Sequence, residues 1–354
     1  RPKIPTEAAM TNAPVSVCRF GPLSFCWRSR VVVLCCVLAL IVAVFAILLL
    51  GTGTLSFSAS EVLAALTGQG ENAKAERVIL RIRLPRLLTA ILVGGALGMA
   101  GSSFQSISRN ALGSPDVIGF TTGAATGAIV QIMLLNAGPL ETSVAAVLSG
   151  VLTAVAVFLL ARKGRSTGGY RLVLVGIGVG ATLSGVNTIL LVSGGLDQAA
   201  SAQLWLAGSL NTRTWLHVVP AAIGFAVVLP VALAHARRLN LLEMGDDAAR
   251  QLGVDAERTR LVMIMAAVGL TSIATAAAGP IAFVALAAPQ LARRLSASPD
   301  VPVISGAMMG MALLLAADLT SQHLPINVHM PIGLTTGLLG GVYLLWLLMR
   351  SKSV

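Results

Sequence analysis

Three arginines stand at positions 81, 83 and 86 in "RIRLPR", directly ahead of the apolar run "LLTAILVGGALGMAG", and Lys74 and Arg77 lie just upstream. Such a cluster can bind carboxylates or phosphates, but it performs no covalent chemistry. Arg83 and Arg86 are three apart at the expected start of a helix and so share a face. Positive charge at a helix N-terminus opposes the macrodipole, so local helix stability does not explain it. Pro85 suits a first helical turn. Two readings follow: a helix-end anchor whose long side chains reach lipid headgroups, or a docking site for an acidic partner.

A second polar cluster is "HARRLNLLEMGDDAARQLGVDAERTR", residues 235–260. "NLLEM" ends at Gly245, then Asp246 and Asp247 open "DDAARQLGV" with Gly253 at the expected C′ position. Ala248, Ala249 and Leu252 give this short helix a small apolar face. An interhelical connection needs only about 2–8 residues, so a folded loop over 236–258 reads as a surface for a partner.

Other reactive residues are sparse. Asp318 is the clearest carboxylate within an apolar run, and its two readings are a functional acid or a structural hydrogen-bond acceptor. The four histidines lie near the ends of such runs, and no chain of acids and histidines suggests a proton relay. Cys18, Cys26, Cys35 and Cys36 lack zinc-ligand partners, so neither a metal site nor a disulfide framework is implied. No G-x-x-x-x-G-K-[ST] phosphate loop is present, so ATP would have to act in a separate chain. The formal charge of +11 does not point to nucleic acid, because the arginines fall between apolar runs instead of along one stripe.

The elements that carry these residues are membrane spans. Of 354 residues, 56% are hydrophobic and 11% charged, against roughly 25% charged in a soluble domain. A spanning helix takes about 20 mostly apolar residues. Ten candidates lie near 31–50, 84–105, 117–136, 143–161, 172–193, 215–235, 260–278, 281–295, 303–320 and 331–349. Gly279-Pro280 should divide the seventh from the eighth. Residues 1–30 form a polar tail, expected to be disordered on the cytoplasmic face, and 31–350 the transmembrane domain. With both termini inside, only Lys74, Arg77, Arg81, Arg83, Arg86 and Arg213 of the 25 Lys and Arg fall outside; the positive-inside rule therefore makes the termini cytoplasmic. The "RIRLPR" cluster is then an outer one, against the general trend.

Small residues set the packing. Gly94/Gly98, Gly119/Gly123/Gly127, Gly176/Gly180, Gly306/Gly310 and Gly333/Gly337/Gly341 recur every fourth residue, which lets helix backbones approach closely. Thr121, Thr122 and Thr126 beside the second group either join that packing or line a pathway.

Five stretches together resemble the FecCD-type permeases of ATP-binding-cassette (ABC) importers, the family of ferric siderophore and cobalamin permeases: "RIRLPRLLTAILVGGALGMAGSSFQ" (81–105), "NALGSPDVIGFTTGA" (110–124), "LLEMGDDAARQLGV" (241–254), "AGPIAFVALAAPQLAR" (278–293) and "MPIGLTTGLLGGVYLLWLL" (330–348). The resemblance implies an all-α type II permease fold of about ten helices in a bacterial cytoplasmic membrane, and transport of an iron–siderophore complex by alternating access. It implies a second permease subunit, two cytoplasmic ATPase subunits that hold ATP and magnesium, and an extracytoplasmic binding protein. The chain itself would hold no cofactor and would be no enzyme.

By the same resemblance, Arg83 and Arg86 match arginines that meet glutamates of the binding protein. Gly245, Asp246, Asp247, Ala248, Gln251, Leu252 and Gly253 match the loop that docks on the ATPase. Gly168, Gly169 and Tyr170 match an inner gate. The sequence departs from the pattern at Gln322, where a third docking arginine would fall, at His329 before "PIG", at the Gly-Gly-Tyr gate, at Pro289-Gln290 and at Asn110-Ala111. A cobalamin or haem importer is the alternative cargo reading; an ion-coupled secondary transporter is the alternative of another class, and a membrane signalling or scaffold protein is a third.

Overall fold

The computed structural model describes residues 15–20, 23–53, 55–69, 72–162, 169–323 and 330–350. Among them a short antiparallel hairpin, β1 (Val15–Phe20) and β2 (Leu23–Arg28), leads into the helices, with Val15 opposite Arg28 and Phe20 opposite Leu23. This corrects the expectation of a disordered tail over that part of 1–30. "VSVCRF" and "LSFCWR" are rich in β-branched and aromatic residues, and Arg28 ties the hairpin's end to Asp300 at 2.8 Å.

The rest is helical: α1 (Ser29–Gly51), α2 (Ala59–Leu66), α3 (Ala73–Val78), α4 (Leu84–Ser108), α5 (Phe120–Leu134), α6 (Pro139–Ala161), α7 (Gly169–Ser193), α8 (Leu196–Leu206), α9 (Trp215–Glu243), α10 (Asp246–Gln251), α11 (Ala256–Ala278), α12 (Val284–Ser296), α13 (Val303–His323) and α14 (Ile332–Arg350). Each of the ten expected spans coincides with a helix. Seven helices meet a length and apolarity test for crossing a membrane by themselves. Helix α5, the 13-residue α12 and the apolar part of α14 are shorter. Gly279 (φ 76°) ends α11 and α12 starts at Val284, so the Gly-Pro break stands. Helix α9 runs eight residues beyond its expected end and absorbs "NLLE".

The helix of the "RIRLPR" cluster differs most from expectation. It does not begin beside Pro85 but runs without interruption from Ala73 to Ser108, 36 residues, with a π-helical turn at Ile79–Arg83 joining α3 to α4. The π-turn takes the Leu84 N–H to the Ile79 carbonyl, which leaves the Leu80 carbonyl in need of another donor. Pro85 has no N–H to offer the Leu80 carbonyl five residues back, and the Trp215 indole N–H donates to that carbonyl instead, at 3.3 Å.

Helix α4 is the central strut, buried along most of its length against α13, α11, α9 and α12. Glycines make the closest of these approaches. A Cβ on Gly94 would lie 2.5 Å from the Gly310 carbonyl oxygen, and one on Gly98 or Gly101 would overlap the carbonyl oxygens of Gly306 and Ala285. Gly123 and Gly127 pack in the same way on α6, against Thr153 and Ser149. Gly337 meets nothing, so spacing overstates packing in α14. Large apolar side chains such as Leu40, Ile177 and Leu216 point outward from α1, α7 and α9, surfaces suited to lipid or to another apolar subunit.

Candidate functional site

Two polar constellations occupy the two ends of the α3–α4 helix. At the "RIRLPR" end, Lys74, Arg77 and Arg81 fall at i, i+3 and i+7 and all are exposed, with Ile82 beside them 61% exposed. Arg83 and Arg86 do not act as one face. Arg83 turns toward the α1–α2 connection, donating to the carbonyls of Leu50 (2.7 Å) and Leu55 and lying 5.0 Å from the centre of the Phe57 ring. Arg86 turns toward α13 and holds Asp318 with two bonds, Nη2 to Oδ1 at 2.6 Å and Nε to Oδ2 at 3.2 Å. Its third donor reaches Asn211 at 2.8 Å.

Asp318 is 2% exposed. It also accepts from Gln322, at 3.1 Å, so this residue, a departure from the family pattern, serves the same carboxylate. A bidentate arginine is the geometry that stabilises a buried carboxylate best. The structural reading of Asp318 therefore holds. Its partner, 232 residues away in sequence, carried no local signal.

At the other end, Gly245 (φ 120°) opens α10 and Gly253 (φ 80°) follows it, both in conformations that favour glycine. The Val254 N–H bonds the Ala249 carbonyl at 2.9 Å, the long bond of a Schellman-type cap. Ala249 faces the bundle and is buried, whereas Leu252, 61% exposed, points out with Met244, Asp247 and Gln251. The expected apolar face is thus split, one residue inward and one outward. Asp246 also points inward: Arg260 donates to both its oxygens, at 3.0 and 2.9 Å, and Arg109 adds a further ion pair. Burial opposes ionisation of Asp246, but the two arginines outweigh it and hold the carboxyl below its ordinary 3.8.

A pH dependence follows from that sign. A depressed carboxyl stabilises the folded state above its unfolded pKa and loses that contribution as pH falls through the folded value. The melting-temperature gap between the parent and Asp246→Asn is expected to be constant near neutrality and to shrink below about pH 3.8. A gap that persists unchanged in acid would count against the ion pairs.

An open-sided cavity of about 750 Å³ is lined by Asp116, Thr121, Thr122, Pro280, Thr320 and Thr335 among others. Thr121 donates its hydroxyl to Asp116. Asp116 was overlooked in the sequence because it sits in a short 3-10 turn, Pro115–Ile118, in the link between α4 and α5. Thr126, by contrast, bonds the Thr122 carbonyl of its own helix at 2.9 Å. Of the expected gate, Gly168 lies outside the described residues, Gly169 opens α7, and Tyr170 is exposed. Among the described residues no group of His, Cys, Asp and Glu is placed to hold a metal.

Residues 39–350 match the FecCD transport family. The chain belongs to that family. As a FecCD protein it is a permease subunit of an ABC transporter and not itself an enzyme; ATPase and binding-protein partners go with that class. A ferric enterobactin transport system permease protein, FepG of Escherichia coli (strain K12), is 44% identical over 91% of this chain and 97% of its own length. The hemin transport system permease protein HmuU of Yersinia pestis is 33% identical over 89% and 96%. A solved metal-chelate type ABC transporter in an inward-facing conformation superposes with a TM-score of 0.79 at 27% identity, covering 89% of this chain and 98% of that one. An ion-coupled secondary transporter, the alternative of another class, does not fit a FecCD permease.

Proposed function

We infer that this chain is the membrane-spanning subunit of an ATP-driven importer of an iron–siderophore complex. It works by alternating access beside a second permease subunit, with two ATPase chains on the cytoplasmic face and a binding protein on the other. The observation that carries the reading is the family match over 39–350, and the 44% identity to a ferric enterobactin permease favours a siderophore as cargo. In this reading the chain crosses a bacterial cytoplasmic membrane with both termini inside, ATP and magnesium sit in the ATPase chains, and the cavity at Thr121, Thr122 and Asp116 is this subunit's share of the pathway. Gly168, Gly169 and Tyr170 form its inner gate, and Met244, Asp247, Gln251 and Leu252 face the ATPase.

Uptake of radiolabelled iron–siderophores, haem and cobalamin, in cells with and without the gene, tests the cargo. Loss of one siderophore's uptake alone is expected. Loss of haem uptake instead would favour the second reading, which the identity to a hemin permease keeps open. Loss of neither would overturn the siderophore reading.

Arg83 and Arg86 serve the binding protein in this account, but their own contacts make them the backing of the site. The exposed cations Lys74, Arg77 and Arg81 make first contact. Exposed charges act mainly on encounter, so Arg77→Glu with Arg81→Glu is expected to slow binding-protein association about ten-fold at low salt and little at high salt. Association rates unaltered at low salt would remove this surface from the docking account.

A further inference from the structure

The two ends of the α3–α4 helix are physically joined. From Ala73 to Ser108 the helix is continuous, about 54 Å at 1.5 Å per residue. One end carries the exposed basic stripe and the Arg86–Asp318 pair. The residue that caps the other end, Arg109, bonds α10 through Asp246, which its Nη2 pairs with, and the end of α9 through the Leu242 carbonyl, to which its Nε donates at 3.1 Å. Arg109 holds this position with a left-handed backbone, φ 49°, which residues other than glycine, asparagine and aspartate rarely adopt. Arg260, on α11 and 4% exposed, grips the same carboxylate and is itself braced by Glu257 at 2.6 Å.

The geometry points to Arg109 as a positioning residue that couples the binding-protein surface to the ATPase surface, with Asp246 as the joint and the α3–α4 helix as the rod. This rests on the importer reading above, in which α10 meets the ATPase and the basic stripe meets the binding protein. When α10 shifts, Asp246 cannot move without carrying Arg109 and the end of α4, or else breaking an ion pair. Because α4 is closely packed on α13 through glycine contacts, it moves as a unit instead of bending within the bundle. Arg260 passes the same displacement to α11.

Coupling of this kind is a free energy shared between two binding sites, and it is read by affinity. The measurement uses the whole complex of permease, ATPase and binding protein in lipid nanodiscs. Binding-protein affinity is compared with and without a non-hydrolysable ATP analogue, for the parent, Arg109→Gln and Arg109→Lys. The parent should show a nucleotide effect. Arg109→Gln should bring the ratio of the two affinities at least about five-fold closer to unity. Arg109→Lys, which keeps the charge beside Asp246, should lie between; it also gives the readout should Arg109→Gln fail to assemble. An assembled variant with the parent's ratio overturns the proposal, as does a parent with no nucleotide effect. A change in both affinities by one common factor overturns it too, because a merely structural role would leave the ratio alone. If no binding protein associates with the parent at all, it is the importer reading that fails.

Discussion

Alanine at Gly101 is expected to lower the permease's melting temperature sharply. On an ordinary helix the change would help, because alanine is favoured over glycine by about 1 kcal/mol. Here the added Cβ would overlap the backbone carbonyl oxygen of Ala285, where α4 crosses the start of α12. A side chain could rotate away, but a carbonyl moves only with its helix. Over-packing costs typically 1–3 kcal/mol and sometimes more; a clash with backbone belongs at the upper end. Against total stabilities of about 5–15 kcal/mol, that is a large share. The check is thermal unfolding of purified protein in detergent, with Gly337→Ala as control, since a Cβ there meets nothing. Equal melting temperatures for Gly101→Ala and the parent would show that the crossing is looser than described.

Removing Arg86 is expected to cost at least as much, for an electrostatic reason. Asp318 is 2% exposed and its one charged partner among the described residues is Arg86. Arg86→Met leaves a buried carboxylate with Gln322 as its remaining side-chain donor, and breaking such a pair from one side costs about 3 kcal/mol or more. Replacing both members, as Arg86→Met with Asp318→Leu, should recover most of the loss, because no desolvated charge remains. Thermal unfolding of the single and double variants decides it. If the single variant melts with the double, Asp318 is better solvated or better bonded than its burial implies. The Arg81→Glu change, at an exposed position, should not alter the melting temperature.

The spans were readable in the sequence because a bilayer imposes a length and an apolarity on every crossing helix, and α1, α6, α7 and α13 obey both. The break at Gly279-Pro280 was readable because those residues admit few backbones. The cap geometry of α10 was legible for the same reason, from Gly245 and Gly253. What escaped was whatever depended on distant residues. Arg83 and Arg86 share a face on any ideal helix, yet one turns to Leu50 and Leu55 and the other to Asp318. Arg109 and Arg260 read as two of many inner cations until Asp246 is placed between them. The hairpin over 15–28 escaped because its strands are short and stand beside a proline-containing polar run. Helix α8 was missed because "LDQAASAQLWL" is too polar to span and too short to stand out.

The π-helical turn at Ile79–Arg83 amounts to one residue inserted into an otherwise regular helix. One residue of an α-helix is about 100° of rotation. The wider π-turn takes that residue up within one turn, so the angular phase of α3 about the common axis stays close to that of an unbroken α-helix. Deleting Ile82 alone would remove no charge, and by turning the π-turn back into an α-turn it would leave Lys74 and Arg77 at nearly their present angle to the buried face of α4. A chain lacking that residue would keep every arginine of the cluster and nearly its aim, whereas the same deletion within α4 would swing the whole upstream segment by about 100°.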